Sequence, residues 1–369
     1  MTDDGAPPPS DSTARPTIRD VARGAGVTIG TASKALNGRG QLRVETRQRV
    51  LAEAARLEFR PNDLIKSLLR GRTYTVGLLT TDFSGRFTMP LLAGVEDALG
   101  AAEILVFLCN VRDDPAREAR VIASLLAKQV DGLIVTGRRT DPRPPIPLGR
   151  ARVPVVYANT RVDDPTALCL LPDDAGGARL AAELLLANGR RRIAHVTGPG
   201  HWDAVQQRLG GLAAVMAEQG VDLPAARIAC GGWTEAWGYA AVDRLLDRDP
   251  SLDAVFCGSD LIARGAVDRL RERGVRVPDD VAVVGFDNWE IVAEAARPPL
   301  TTVDLELREL GRAASAELLA MVAGETRPGT RRLPCRLVVR GSSGWSEANS
   351  FAPPSASTGK AADSTTDVL

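Results

Sequence analysis

"AGVTIGTASKAL", residues 25–36, is the stretch on which the reading of this chain turns. Its length and polar spacing are those of a short solvent-facing helix, yet Ile29 and Gly30 stand where such a helix would carry charge. Thr28 is a helix-capping residue and Asn37-Gly38 a helix stop, so the spacing predicts a short helix between them. Upstream, Thr17 and Asp20 form a T-x-x-D capping pattern ahead of Val21 and Ala22, and Gly24 to Gly26 break the chain. Downstream, a third helix is expected from about Val44 to Leu57, with Val50, Ala54 and Leu57 on one face, and Pro61 beyond it.

Two short helices joined by a tight glycine-containing turn, the second too polar for a core element, make a helix-turn-helix. Ala22, Val27, Ala32 and Leu36 would hold the pair together. In that arrangement the start of the second helix enters the major groove of DNA. Ile29 would then meet a thymine methyl, Gly30 would let the backbone come close, and Lys34 would donate to guanine or phosphate. Thr17, Thr28, Thr31, Ser33, Asn37 and Thr46 carry the short hydroxyl and amide groups that fix register on phosphates. Taken singly, Thr17 and Thr28 would cap helices in any protein and Asn37-Gly38 would end one. Only together do they point to DNA.

Charge points the same way. The 369-residue chain has a net charge of +0, but Arg15–Thr73 holds thirteen bases against five acids, a surplus of +8 that leaves −8 for the remainder. Such asymmetry suits a polyanion-binding head on an acidic body. No apolar run is long enough to span a membrane, and "MTDDGAPPPSDSTARP" is acidic where a secretory signal would be basic and then apolar, so a cytoplasmic protein without a membrane partner is expected. The five cysteines (Cys109, Cys169, Cys230, Cys257 and Cys335) are an odd number, widely spaced and mostly inside apolar runs. They fit reduced, buried thiols, with no metal and no cofactor.

From Tyr74 the pattern changes to apolar runs alternating with helical stretches. Strands are expected at 75–80, 104–109, 132–137, 153–158 and 167–172, then at 192–198, 227–233, 253–259 and 281–287. Continuous Val/Ile/Leu runs separated by helices indicate parallel strands covered on both faces, hence a doubly wound α/β body, and nine strands divide into two sheets. Ligands in such bodies lie beyond the carboxyl ends of the strands, here near Asp82, Asp173, Trp233, Ser259 and Asp287, in a cleft between two lobes. Trp202, Trp233 and Trp289, three of the five tryptophans, each lie at or just after the end of an expected strand. Aromatic faces beside charged or amide groups are the equipment of a sugar site.

The segments "TIRDVARGAGVTIGTASKALNG", "TRQRVLAEAARLEFRPN" and "SLLRGRTYTVGLL" resemble the DNA-binding head and hinge of the lac repressor (LacI/GalR) family of bacterial transcription regulators. The resemblance continues through "VDGLIV", "RRRIAHVTGP", "VFCGSDLIARGAVDRLRERGVRVPDDVAVVGFDN", "RPPLTTVD" and "LVVRGS", covering nearly everything from Thr17 to Ser342. It implies an all-α helix-turn-helix head at 16–60 and a hinge helix region at 61–73; residues 1–15 and 346–369, small, polar and punctuated by Pro and Gly, are expected to be disordered tails. Between them, 74–345 would be a periplasmic-binding-protein-like effector and dimerisation domain, with lobes at 74–173 plus 304–331 and at 174–303 plus 332–345.

By position, Ile29, Gly30 and Lys34 match the family's main base-reading sites. The family usually has longer polar side chains at the first two and commonly Arg at the third. Asn62 opens the hinge, and Leu68 matches the leucine such hinges insert into the minor groove; as an alternative it packs on the body. In the cleft, Arg208 matches the effector-clamping arginine, Asp287 its acidic partner, Trp233 the stacking aromatic and Phe87 a wall, with Asp173 and Trp202 as further candidates. Ser259 stands where the family often has Asn. Any one of these tryptophans could equally be ordinary packing, and Arg208 with Asp287 a surface ion pair.

An enzyme is not expected: His195 and His201 are the only histidines, and no G-x-S-x-G, H-E-x-x-H or phosphate-binding glycine loop occurs. The implied function is a homodimeric, sequence-specific repressor on near-palindromic operator DNA, controlled by a mono- or oligosaccharide effector. Control by a nucleoside, a phosphometabolite or a protein partner is the alternative, and a sugar-binding protein without a DNA role is a further one. No leucine heptad appears in the C-terminal tail, so a coiled-coil tetramer is not expected.

Overall fold

A computed structural model describes residues 16–38, 40–59, 72–82 and 84–344. The chain separates into two compact units between Thr73 and Tyr74. The expected tails, and the hinge positions Asn62 and Leu68, lie outside the described residues.

Among the described residues the first unit is built of α1 (Ile18–Gly24), α2 (Ile29–Leu36) and α3 (Val44–Arg56). Asp20 closes the entry of α1 by accepting from the Thr17 amide at 2.9 Å and hydroxyl at 2.7 Å. Thr28 starts α2 by accepting from the Thr31 amide at 3.1 Å. Gly26 and Gly38 carry the left-handed φ values of +63° and +64° that let the chain leave each short helix. The core contains Ala22 and Ala32 as expected, with Val27 and Leu36 half-buried at its margin. It also draws in Val21, Ala25, Ala35, Val50 and Ala54, because α3 closes the open side of the pair.

The second unit holds two six-stranded sheets. The first is formed by β1 (Thr75–Thr80), β2 (Leu105–Asn110), β3 (Gly132–Thr136), β5 (Val155–Ala158), β7 (Leu168–Pro172) and β13 (Gly329–Leu333), in the order β13-β7-β5-β3-β1-β2. The second contains β8 (Ile193–Thr197), β9 (Ile228–Cys230), β10 (Ala254–Cys257), β11 (Ala282–Asp287), β12 (Thr301–Asp304) and β14 (Arg336–Val338), in the order β14-β12-β11-β10-β8-β9. A small ribbon pairs β4 (Pro142–Arg143) with β6 (Arg161–Val162). The central strands β3, β7, β8 and β10 are buried along their whole length, as their uninterrupted apolar sequences require.

Five strands were not expected. β4 and β6 are two residues each, β12 opens on two threonines, and β13 (GTRRL) and β14 lie at sheet edges, where one side is solvent and no apolar run is needed. β14 is moreover antiparallel to β12, so the second sheet is not purely parallel. β13 runs to Leu333, two residues beyond the expected crossover at 331, and β12 keeps Asp304 in the second sheet. The strand expected at 227–233 ends at Cys230, because Gly231 and Gly232 turn the chain away and leave Trp233 in a bend. The cysteines are all free thiols, but Cys230 is exposed, not buried, because β9 is an edge strand.

Helices α4 (Thr88–Gly100) and α5 (Pro115–Ala127) belong to the first lobe, while α6 (Asp174–Ala187), α7 (Asp203–Glu218), α8 (Glu235–Arg248), α9 (Asp260–Glu272) and α10 (Glu290–Ala293) belong to the second. Helix α11 (Leu307–Val322) returns to pack on the first sheet and α4. The chain therefore passes between lobes near 173, 305 and 334, and the Asp173 amide donates to the Leu333 carbonyl at 2.8 Å where two of these passages touch.

Close helix pairing rests on glycine. A Cβ at Gly211 would lie 2.3 Å from the Ala175 carbonyl oxygen, whereas one at the neighbouring Gly210 would meet nothing within 4 Å. Adjacent substitutions in α7 should therefore act in opposite directions. Gly210→Ala is expected to raise stability by up to ~1 kcal/mol through helix propensity. Gly211→Ala is expected to lower it by ~1–3 kcal/mol because α6 must move. Urea titration of both variants checks the sign at each position.

Candidate functional site

The exposed face of α2 bears the residues expected to read DNA. Ile29 is 47% exposed, an apolar side chain with no place in the core, and Gly30 and Lys34 are exposed beside it. The other polar candidates are partly engaged within the head. The Thr28 and Thr31 hydroxyls lie 2.9 Å apart, and the Asn37 side-chain amide donates to the Ser33 carbonyl at 2.9 Å and to its hydroxyl at 3.3 Å. Thr17 is held by Asp20, and Thr46 is half-buried in the first turn of α3.

The cleft in the second unit is built around Arg208. Its side chain projects from α7, is only 7% exposed, and carries its guanidinium 3.8 Å from the centre of the Phe286 ring. Nε donates to Asp174 Oδ1 at 2.8 Å, Nη2 lies 2.7 Å from the same oxygen, and Nη1 donates to the Gly258 carbonyl at 2.5 Å. Asp287, the expected partner, is farther away at 3.8 Å. The pairing is thus buried and not a surface ion pair, and its main acid is Asp174, which the sequence reading did not single out. Asp174 is fully buried; desolvation raises its carboxyl pKa against the pull of Arg208. Arg208 therefore has a structural role besides any contact with a ligand, since removing one member of a buried pair strands the other.

Asp287 ends β11 with φ +103°, a conformation that an L-residue rarely adopts. It forms an ion pair with Arg86 from the loop after β1, a residue absent from the sequence reading because nothing local marks it. The Asn288 side chain ties the next position down, donating to Asp304 at 3.0 Å and accepting from Arg340 at 3.0 Å. Trp233 and Trp202 pack with their rings tilted by 44° and centroids 5.6 Å apart, and Trp233 lies 5.9 Å from the Arg208 guanidinium. Trp233 has this position because Gly198 leaves room for it: a Cβ there would be 2.1 Å from the indole. Across the cleft, Arg139 of the first lobe lies over Trp202 at 5.0 Å, and Asp141 accepts from the Asp203 amide at 3.1 Å. A cavity of about 450 Å³ opens beside this contact, lined by Thr81, Asp113, Glu118, Arg139, Thr160 and Trp202 among others.

Phe87 opens α4 on the first-lobe wall of the cleft, where the Asp82 carboxylate accepts from its amide at 2.8 Å. Asp173 and Ser259 are less available. Asp173 caps α6 by accepting from the Gly176 amide at 3.0 Å, and the fully buried Ser259 caps α9 by accepting from the Ile262 amide at 3.3 Å. Neither role is visible without the helices that follow. Beneath the cleft, the buried Asp260 accepts from the Trp289 amide at 2.6 Å and the Thr302 hydroxyl at 2.5 Å, and burial pushes its carboxyl up to about 6. His195, stacked on Phe256 at 4.9 Å, is pushed down to about 4, chiefly by burial. Among the described residues no group of acids, histidines and cysteines is arranged to hold a metal.

Residues 17–62 match the family described as bacterial regulatory proteins, lacI family, and residues 182–343 match a periplasmic binding protein-like domain. The HTH-type transcriptional regulator CelR of Thermobifida fusca is 35% identical over 332 residues, spanning 88% of this chain and 96% of that protein. The chain belongs to the lacI family of bacterial transcription regulators. Other members include the ribose operon repressor of Halalkalibacterium halodurans, at 32% identity over 88% of this chain and 96% of the relative. The solved complex of CelR with cellobiose aligns at 34% identity with a TM-score of 0.63, covering 89% of this chain and all of that one. The lac repressor dimer bound to operator and the anti-inducer ONPF aligns at 26% identity with a TM-score of 0.75, covering 89% and 99%.

Two measurements probe these sites. A Cβ at Gly30 meets nothing closer than the Thr28 hydroxyl at 3.9 Å, so Gly30→Ala should stabilise the head slightly. If the backbone at Gly30 approaches a base, the same change should lower operator affinity by ~10-fold or more, the size of one lost base contact. Unchanged affinity in a binding titration would remove Gly30 from the DNA surface.

The second concerns pH. Asp260 has a folded pKa of about 6, above its ordinary 3.8, so its contribution to stability is lost as pH rises through this window. His195, at about 4 against 6.5, contributes stability that is lost as pH falls through its own window, and the two oppose one another. Asp260→Asn should therefore make unfolding free energy rise with pH between about 4 and 6, relative to the parent, with a slope approaching ~1.4 kcal/mol per pH unit. Urea titrations across that range check it; a difference independent of pH would contradict the assignment.

Proposed function

We propose that this lacI-family regulator is a cytoplasmic, homodimeric repressor of near-palindromic operator DNA whose affinity is set by a sugar in the interlobe cleft. The observation that carries the sugar reading is the Trp202–Trp233 pair, 5.6 Å between centroids, set beside Arg208 and Asp287. Aromatic faces cover the C–H surface of a sugar ring while charged groups hold adjacent hydroxyls. The solved complex of CelR with cellobiose supports a carbohydrate effector, and the lac repressor dimer on its operator supports twofold operator binding.

Ile29, Gly30 and Lys34 read base edges in each half-site, while Thr17, Thr28, Thr31, Ser33, Asn37 and Thr46 set register on phosphates. Leu68 is the minor-groove wedge, and Asn62 opens the hinge that carries it. A second copy covers the bare edge of the first sheet, where Leu105, Phe107 and Leu108 of β2 are 68%, 38% and 45% exposed. Effector and operator act through linkage: a sugar that favours the lobe arrangement with weaker operator affinity is itself bound more weakly by the operator-bound protein, by the same factor.

The test is fluorescence anisotropy on DNA from upstream of the protein's own gene, at fixed salt, with a panel of mono- and oligosaccharides including cellobiose. Release by one sugar is expected, with Trp233→Ala keeping operator affinity within ~2-fold and losing the response. Trp233 is preferred to Arg208 for this purpose because it is partly exposed and carries no buried charge pair. Specific binding unmoved by every sugar would transfer the effector role to a nucleoside, a phosphorylated metabolite or a protein partner.

A further inference from the structure

Arg86 lies in the cleft as a ligand would. The Asp82 carboxylate accepts from the Phe87 amide at 2.8 Å and the Thr88 amide at 3.1 Å, fixing the short loop that carries Arg86. From there the side chain leaves the first lobe and pairs with Asp287 of the second. Its guanidinium lies 4.8 Å from the Phe87 ring and 5.3 Å from the Trp289 ring, one aromatic from each lobe. Only 12% of the side chain is exposed, and its Nε is buried without an acceptor. Burial pulls the guanidinium down to about 10, so it remains charged at neutral pH. Two aromatic faces and one carboxylate are also what a polyhydroxylated ring would use in the same slot.

We propose that Arg86 is a built-in occupant of the effector cleft: without a ligand it bridges the lobes through Asp287 and Trp289, and an effector binds by displacing it. The proposal rests on reading this cleft as the effector site, but the bridge itself can be tested without any sugar. Displacement leaves Asp287 buried with Arg208 at 3.8 Å as its remaining cation. An incoming molecule that offers hydrogen-bond donors to Asp287 Oδ2 is therefore favoured, since that buried oxygen loses its cation. Arg86 thereby raises the threshold for binding, because each ligand must outcompete a tethered guanidinium present at high effective concentration.

The experiment returns the missing group in trans. In full-length Arg86→Ala, amide hydrogen exchange in 286–292 should be faster than in the parent by ~10-fold or more. Millimolar ethylguanidinium should restore protection and shift tryptophan fluorescence saturably, whereas ethylammonium should not. Adding Asp287→Asn to the variant should abolish the rescue, and the parent protein, its slot filled, should not respond. Arg86→Gln, which keeps a polar side chain but removes the charge and the reach, should behave like Arg86→Ala and serves if the alanine variant folds poorly. Parent-like protection in both variants, or an equal effect of ethylguanidinium on parent and variant, would overturn the bridge. Neither result depends on which effector the anisotropy experiment finds, so a failed bridge and a failed sugar reading are distinguishable.

Discussion

A buried guanidinium organises the second unit. Arg208 on α7 binds Asp174 at the start of α6, the carbonyl of Gly258 after β10, and the neighbourhood of Asp287 at the end of β11. These elements are separated by up to about a hundred residues of chain but meet at the carboxyl edge of one sheet. A charge held this far from water must be matched closely, so the positions of Asp174, Gly258 and Asp287 are coupled. The Phe286 ring against the flat face of the guanidinium and Trp233 nearby complete an apolar wall around it. Cleft shape and domain stability therefore depend on the same few atoms.

The two lobes communicate through covalent and non-covalent routes. Three chain passages join them, two held together by the amide of Asp173 and the carbonyl of Leu333. The apolar cluster runs through the same region by way of Leu305, Leu307 and Leu333. Across the cleft the contacts are different in kind: Arg86 with Asp287, Arg139 over Trp202, and Asp141 with the Asp203 amide. The passages are packed and apolar, whereas the contacts across the cleft are polar.

Much of the fold was legible in the sequence because it depends on local pattern. Capping residues at Thr17 and Thr28, the Gly26 and Gly38 exits, and an apolar residue at exposed Ile29 identify the head; uninterrupted runs such as 132–136 and 168–172 identify buried parallel strands. Strands at the sheet edges escaped, since β13 is rich in arginine and β14 is three residues long, and an edge needs only backbone pairing. The aromatic members of the cleft were found because Trp202 and Trp233 follow strands in a chain poor in tryptophan.

The electrostatic members of the cleft depended on tertiary structure. Asp173 and Asp174 are neighbours in sequence, yet one caps a helix and the other neutralises Arg208 from the interior. Ser259 and Asp260 differ in the same way, one a helix cap and the other a buried acceptor for Trp289 and Thr302. Arg86 is one arginine among many until the fold brings it opposite Asp287. By itself the sequence determined the element types, the helix-turn-helix and the family, because periodicity, caps and turns act over a few residues. Which charges pair, and across which gap, only the tertiary structure decided, because electrostatic partnership is set by distance and burial and not by separation along the chain.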